Sequence, residues 1–243
     1  MTASTGGATP VVMPLGFVST RLRTVVSAEA RTEVDDAVID QFVNQVKGLN
    51  GYEGCVLGDV IDQPTLNLAI VIFADASQAP AFATSVGGFV ASIADKVIVE
   101  KTVEWSGDML IGSGPTVDDT TPHATPVALA AVATPVTSEF TGYVAVRIHT
   151  SKPGKDPRDI VPAITSGFLP IVTGLPGFKG YLWYPFDGGF VAISPFDSIE
   201  SATASNEAAK SWTVPNVVDY TDGHPQIVNV NVIHADLPIL APA

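Results

Sequence analysis

With 243 residues, 46% of them hydrophobic, and a mean hydropathy of +0.32, the chain is long enough for one large or two smaller globular domains and too apolar for a disordered protein. Its formal charge of −13 repels phosphate backbones, which argues against a nucleic-acid partner. Uninterrupted apolar runs stay below the roughly 18 residues of a membrane span, and the single cysteine, Cys55, excludes an intrachain disulfide or a thiolate metal cluster.

The N-terminal ten residues contain neither a basic region nor a continuous apolar stretch, so we expect no secretory signal. We also expect no membrane partner and a cytoplasmic location. Four histidines are scattered through the chain, at positions 123, 149, 224 and 234. Their spacing predicts no metal site.

In chain order, the first predicted element is a strand over 17–24, followed by a helix with apolar residues at 34, 38, 42, 46 and 49, on one face. Gly48 is predicted as its left-handed C-terminal cap. After two strands, a second helix is predicted to begin at Asp75, with Gln78 three residues later as in a capping box. A last strand is predicted over 97–105.

The same order of elements recurs in the second half. A strand over 143–150 alternates with period two, and a helix follows with apolar residues at 160, 164, 168, 172 and 175, capped by Gly174. Gly167 and Pro170 interrupt that helix and are predicted to kink it. A second helix is predicted to begin at Asp197, paired with Glu200, and a last strand covers 227–234.

The two halves align as an internal repeat. Residue 17 pairs with residue 143, an offset of 126 positions (143 − 17), and the offset holds to the segments Gly-Leu-Asn-Gly-Tyr-Glu-Gly at 48–54 and Gly-Leu-Pro-Gly-Phe-Lys-Gly at 174–180. The predicted domains are therefore repeat 1 over 15–110, an Ala/Thr/Pro-rich linker over 111–140, and repeat 2 over 141–238.

Each repeat reads as strand, helix, strand, strand, helix, strand, the ferredoxin-like βαββαβ order of an α+β fold. Such a unit carries both helices on one face of its sheet, so the other face needs a cover. A second repeat supplies it. The predicted architecture is an intramolecular, pseudo-dimeric α/β barrel, which can oligomerise further.

Segments of both repeats, sharpest in the second, resemble the antibiotic biosynthesis monooxygenase (ABM-like) family. The resemblance rests on Leu-Pro-Gly-Phe-Lys-Gly-Tyr at 175–181, on the strand Phe-Val-Ala-Ile-Ser-Pro-Phe-Asp-Ser at 190–198, and on the helix from 202 to 212 with its Ala-Ser-Asn and tryptophan. It implies a monooxygenase, an oxidoreductase without cofactor that acts on a small aromatic, quinol or polyketide-like substrate.

Two alternatives stay open beside that function. One is a non-catalytic member that binds a hydrophobic small molecule or forms oligomers. The other is a heme-binding tandem-barrel protein of the chlorite dismutase type, which the scarcity of well-placed histidines disfavours. The sequence identifies neither the substrate nor an active repeat.

Candidate site residues concentrate in the second repeat. The predicted catalytic residues are Asn206, Trp212 and His149, and the predicted substrate-binding residues are Arg147, Tyr143, Tyr181 and Trp183. A structural role is the alternative for each residue: a core position for Trp212, a capping amide for Asn206, and an aromatic strand pair for Tyr181 and Trp183. For Arg147 and His149 the alternative is a structural pair buried between the sheets, because Arg21 and Arg23 occupy the equivalent positions in repeat 1.

Overall fold

The computed structural model describes residues 15–113 and 140–236. The first described stretch has the predicted order of elements, with its helices lengthened by short non-α turns. Its elements are β1 (Gly16–Thr24), α1 (28–47), β2 (Tyr52–Val60), β3 (Leu66–Phe73), α2 (Ala79–Ser92), β4 (Val103–Met109) and β5 (Ile111–Ser113).

The second described stretch repeats that order. Its elements are β6 (Tyr143–Thr150), α3 (157–173), β7 (Tyr181–Phe186), β8 (Gly189–Phe196), α4 (Ile199–Val217) and β9 (Gln226–Asp236). Most of the predicted linker, 114–139, lies outside the described residues, and its first three residues form β5.

All strands join one antiparallel sheet in the order β4-β1-β3-β2-β9-β6-β8-β7-β5. The two outermost members of that order, β4 and β5, are separated only by Leu110. Leu110 donates its backbone N–H to the carbonyl oxygen of Trp183 on β7 at 3.0 Å. The sheet therefore nearly closes on itself, and the predicted α+β barrel of two ferredoxin-like units is confirmed.

The last strand of each half crosses to the other half. Strand β9 pairs with β6 as far as Asn231, then continues along β2 from the pair Val60 and Val230 to the pair Cys55 and Asp236. In the same way β4 pairs with β1, and its continuation β5 pairs with β7. The two halves are thus joined by main-chain hydrogen bonds as well as by packing.

Period-two alternation of the strands sorts the core into three layers. Val144, Val146 and Ile148 of β6 point into the barrel, where they meet Val18 and Leu22 of β1 in one buried apolar cluster. The intervening residues of each strand face the helices, which cover the outside of the barrel in two separate clusters, one for each half. The outer cluster of the second half contains the candidate site.

Both first helices contain a π-helical segment at the same place. The segments are Val38–Val43 in α1 and Ile164–Phe168 in α3, and their starts differ by the repeat offset of 126 (164 − 38). The predicted kink at Gly167 and Pro170 takes this form: the chain widens into a π turn and then continues as α-helix over Leu169–Thr173. Helix α3 is widened and not broken.

Three local predictions were wrong. The last strand of the first half begins at Val103 instead of residue 97, because Val97 forms only an isolated bridge with Val25 and a 3₁₀ turn over Val99–Lys101 follows. Gly48 and Gly174 keep right-handed backbone angles, with φ of −77° and −81°. The glycines with positive φ lie three residues later in each half, at Gly51 and Gly177.

The cap of α4 also differs from the prediction. Ser198, and not Asp197, is the N-cap, and its side chain accepts from the backbone N–H of Ser201 at 3.1 Å. Asp75 caps the 3₁₀ turn Ala76–Gln78 that leads into α2, by accepting from the N–H of Ser77 at 2.7 Å, and the N-cap of α2 itself is Gln78. Among the helices in the described ranges, none is long and apolar enough to cross a membrane.

Candidate functional site

Arg147 is the centre of the outer layer of the second half. It lies on β6 with its side chain toward α4, and only 2% of its surface is exposed. Its Nε donates to Oδ1 of Asn206 at 3.0 Å, and its terminal nitrogens donate to the hydroxyls of Ser194 at 3.2 Å and Ser205. All three partners are neutral.

No carboxylate within the described parts of the chain forms a salt bridge with Arg147. Burial lowers the pKa of its guanidinium to about 10, which still leaves it charged at neutral pH. A buried charge held only by neutral dipoles is costly and is compensated when an anion binds beside it. Arg147 is therefore prepared to hold an anionic oxygen.

The equivalent arginine of the first half is neutralised. Arg21 donates to Glu104 of β4 at 2.7 Å, and Ser19 donates to the other carboxylate oxygen at 3.0 Å. Glu104 is the residue opposite Arg21 in the strand register, and the residue opposite Arg147 is Ile227. The second half thus lacks the carboxylate that occupies this position in the first half.

His149 lies two residues beyond Arg147 on the same side of β6. Its ring stacks on Phe190 with centroids 4.4 Å apart and planes at 13°. Burial, and next the charge of Arg147, lower the pKa of its imidazole to about 4. His149 is therefore neutral at physiological pH and offers one accepting nitrogen.

A small cavity separates these side chains from helices α3 and α4. It encloses about 20 Å³, close to the space of one water molecule. The side chains of Tyr181 and Trp183, both from β7, form its floor together with Arg147 and His149. Tyr181 and Trp183 lie on the same side of β7, as the alternation of strand residues predicts.

Trp212 closes the outer end of the cavity and is itself half-buried. Its ring contacts Phe168 of the π segment with centroids 5.5 Å apart. Gly167 makes this contact possible, since a Cβ at that position would meet Nε1 of Trp212 at 2.8 Å. The glycine and the π segment together seat the tryptophan over the cavity.

The structure brings six of the seven predicted residues into one site. Arg147, His149, Tyr181, Trp183 and Trp212 line the cavity, and Asn206 joins through its hydrogen bond to Arg147. Tyr143 is half-buried against the same apolar cluster but does not line the cavity. It is better described as a packing residue.

Sequence reasoning missed three polar residues of the site, Ser194, Ser205 and Asn229. Asn229 of β9 accepts from the Asn206 amide at 2.9 Å and so fixes which amide atom faces Arg147. Strand alternation places Asn229 on the helix side of β9, which is the signal that could have identified it.

The helix-facing layer of the first half keeps buried arginines on β1, Arg21 and Arg23, but replaces the aromatic and amide side chains of the site. Leu57 takes the place of Trp183, Cys55 that of Tyr181, and Thr84 and Val90 those of Asn206 and Trp212. Phe42, Phe82 and Phe89 fill the space between helices and sheet. The predicted alternative of a structural arginine pair between the two sheets is wrong, because Arg21 packs over the Phe82 ring on the helix side.

The donor atoms of these residues decide whether a metal ion or a heme fits. The described ranges contain no group of three or more His, Cys, Asp or Glu side chains able to hold a metal ion. A heme needs an accessible axial ligand beside a space of its own size, whereas His149 stacks on Phe190 beside about 20 Å³. The site does not fit a heme.

No family model and no curated protein matches the chain. Solved structures do. A Fusobacterium nucleatum protein provisionally described as a monooxygenase is 12% identical with a TM-score of 0.64, over 92% of this chain and 94% of that one. An anthrone oxidase-like protein is 12% identical with a TM-score of 0.58, over 92% and 94%.

A heme-binding protein from Thermus thermophilus is 9% identical with a TM-score of 0.55, over 90% of this chain and 92% of that one. The chain shares the fold of all three proteins. At this level of identity the likeness extends to the fold alone, so the function has to be argued from the site.

Proposed function

We propose that the second half is a cofactor-independent monooxygenase site for a small aromatic molecule with an acidic oxygen. The single observation that carries the proposal is Arg147, a buried guanidinium without a carboxylate partner in the described chain, facing a cavity with aromatic walls. An aromatic enolate or phenolate supplies both the missing negative charge and the flat apolar surface.

The proposed reaction converts a methylene between two aromatic rings into a carbonyl. One atom of O₂ enters the product and the other leaves as water with the two methylene hydrogens. The substrate itself supplies all four electrons, so no external reductant is needed. Its enolate form is the electron-rich species that reacts with O₂.

The side chains divide the work as follows. Arg147 stabilises the enolate oxygen, Asn206 keeps the guanidinium oriented, and neutral His149 accepts the proton released when the enolate forms. The positive charge of Arg147 lowers the pKa of His149, and the anionic oxygen of a bound substrate offsets that charge. The pKa of His149 therefore rises when substrate binds, which makes proton transfer to it easier. Phe168, Tyr181 and Trp183 form the apolar walls that exclude water.

The cavity is too small for such a substrate as it stands. Binding therefore requires Trp212 to swing outward, which its half-exposed position at the end of the cavity allows. Once the substrate is bound, its rings replace the indole against Phe168.

Oxygen uptake with anthrone tests the proposal. We expect one O₂ consumed per anthrone, anthraquinone as product, and no hydrogen peroxide. Arg147→Gln should lower kcat/KM by about 10²–10³-fold, the usual cost of losing a charge-stabilising donor. Arg21→Gln, the matched change in the first half, should leave the rate unchanged. Uptake no faster than in heat-denatured controls, or equal loss in both variants, would refute an oxygenase site at Arg147.

A second function has one observation in its favour. The roughly 20 Å³ of space leaves no room for a substrate in the closed form, as in a non-catalytic protein that only assembles, or that opens to bind a hydrophobic molecule without transforming it. Binding of anthrone under anaerobic conditions, followed by no turnover in air, would establish the non-catalytic binder. Turnover would exclude it.

A further inference from the structure

We propose that Trp183 is a specificity-determining residue that donates its indole N–H to a second oxygen atom of the ligand. The inference rests on the proposed function, because it assumes that the ligand's anionic oxygen lies at Arg147. It adds a requirement to that function: the ligand carries a hydrogen-bond acceptor at two separated positions.

The first observation is an unpaired donor. Trp183 is fully buried, and its Nε1 has no hydrogen-bond partner within the described residues. Buried donors in native structures are nearly always paired, because an unpaired one forfeits its hydrogen bonds to water. Trp183 lines the cavity, which is the space from which an acceptor can reach it.

The second observation is the register of the sheet. Arg147 and Trp183 both pair with Ala192 of β8, one from each side, so the three residues form a row across β6, β8 and β7. Two strand spacings separate the Cα atoms of Arg147 and Trp183 by roughly 10 Å. All three side chains face the helices and line the small cavity.

The third observation is the comparison of the two halves. In the first half the same row is Arg21, Ala69 and Leu57, so the alanine is kept and the indole is replaced by an aliphatic side chain. In the first half, the core therefore packs without a hydrogen-bond donor at the position of Trp183. The indole of Trp183 therefore adds a polar function only in the half whose arginine lacks a carboxylate.

A pair of ligands that differ by one oxygen tests this role. Both 2-naphthoate and 6-hydroxy-2-naphthoate present a carboxylate to Arg147, but only the second carries an oxygen at the far end of the ring system. Titration calorimetry with the full chain should show the hydroxy compound binding about five to ten times more tightly, the usual effect of one added hydrogen bond. In Trp183→Phe the ratio of the two affinities should fall to about one.

Trp105→Phe is the matched control, because Trp105 belongs to the barrel interior and not to the site. It should keep the wild-type affinity ratio. Retention of that ratio by Trp183→Phe would overturn the role of Trp183 while leaving the proposed anion site intact. If neither naphthoate binds the wild type, the anion site itself is refuted, and the role of Trp183 falls with it.

A second measurement does not depend on the folding of the variant. In ¹⁵N-labelled wild-type protein, the indole N–H resonance of Trp183 should move downfield on addition of 6-hydroxy-2-naphthoate and much less with 2-naphthoate. Equal movement with both ligands would contradict a hydrogen bond to the second oxygen.

Discussion

Glu104 lies directly opposite Arg21 across β4 and β1 and accepts a hydrogen bond from it at 2.7 Å. The pair removes the net charge from a helix-facing arginine that in the second half stays uncompensated. One strand position, occupied by Glu104 in one half and by Ile227 in the other, therefore separates a structural arginine from a candidate binding site.

Ile227→Glu should convert the second site to the paired state of the first. The new carboxylate would compete with any anionic ligand for Arg147, so the affinity for 2-naphthoate should fall at least about tenfold. Ile227 is 45% exposed, so the substitution should cost little folding stability. Ile227→Gln, similar in size and uncharged, should retain the affinity, and equal losses in both variants would show that charge is not the cause.

Gly167→Ala should displace Trp212 from the end of the cavity. The added methyl group would lie 2.8 Å from Nε1 of Trp212, so the ring must move outward. We expect a red-shifted tryptophan emission and a free energy of unfolding lowered by about 1–3 kcal/mol, typical of overpacking. Gly88→Ala in α2, where a Cβ has no neighbour within 4 Å, is the control and should be neutral or stabilising.

Asp35 should make stability depend on pH. Burial is the main cause that raises the pKa of its carboxyl from 3.8 to about 6, and the nearby carboxylate of Asp59 raises it further against the opposing effects of Asn67 and Arg31. The folded state holds this proton more tightly than the unfolded state. The contribution of Asp35 to the free energy of unfolding is therefore full below about pH 4 and is lost as pH rises through about 6.

Asp35→Asn should remove that dependence. Relative to the wild type, its melting temperature should rise progressively between pH 4 and pH 7, as measured by circular dichroism. Asp36→Asn, at an exposed neighbouring position, supplies the control for the change in net charge. A constant difference between Asp35→Asn and wild type across this range would contradict the prediction.

Gly107→Ala should disturb closure of the barrel. A Cβ at Gly107 would overlap the carbonyl oxygen of Pro185, where β4 passes β7. We expect the free energy of unfolding to fall by at least about 2 kcal/mol in urea titrations. Gly112→Ala, in the adjoining β5 with only ordinary contacts, should change it by much less. Similar losses at both positions would argue against a tight crossing at Gly107.

The strand alternation and the internal offset were sufficient to predict the barrel and the faces of its strands. They also placed Arg147 with His149 on one side of β6, and Tyr181 with Trp183 on one side of β7, because period two follows directly from backbone geometry. Neither pattern predicts the distances between segments that are far apart in sequence. The bond from Arg147 to Ser205 depends on how helix α4 packs, and the bond to Ser194 depends on the register of β8 against β6; no local pattern encodes either.

The wrong boundaries have local causes. Residues 97–99 are Val, Ile and Val, all β-branched, and so they indicate a strand, but a 3₁₀ turn over Val99–Lys101 delays pairing until Val103. The π segment in α3 was visible only as an interruption at Gly167 and Pro170, since one extra residue per turn leaves no pattern distinct from a kink.

The crossing of β5 and β9 between the halves leaves the nearly closed barrel with only β4 and β5 as its margins. A sheet margin exposes unpaired amide and carbonyl groups that recruit strands from other molecules, and closure removes this route to aggregation. Strand β9 supplies one of the two seams, so a chain that ended before Gln226 would open the margins of β2 and β6 together. The C-terminal strand thus protects both halves from self-association.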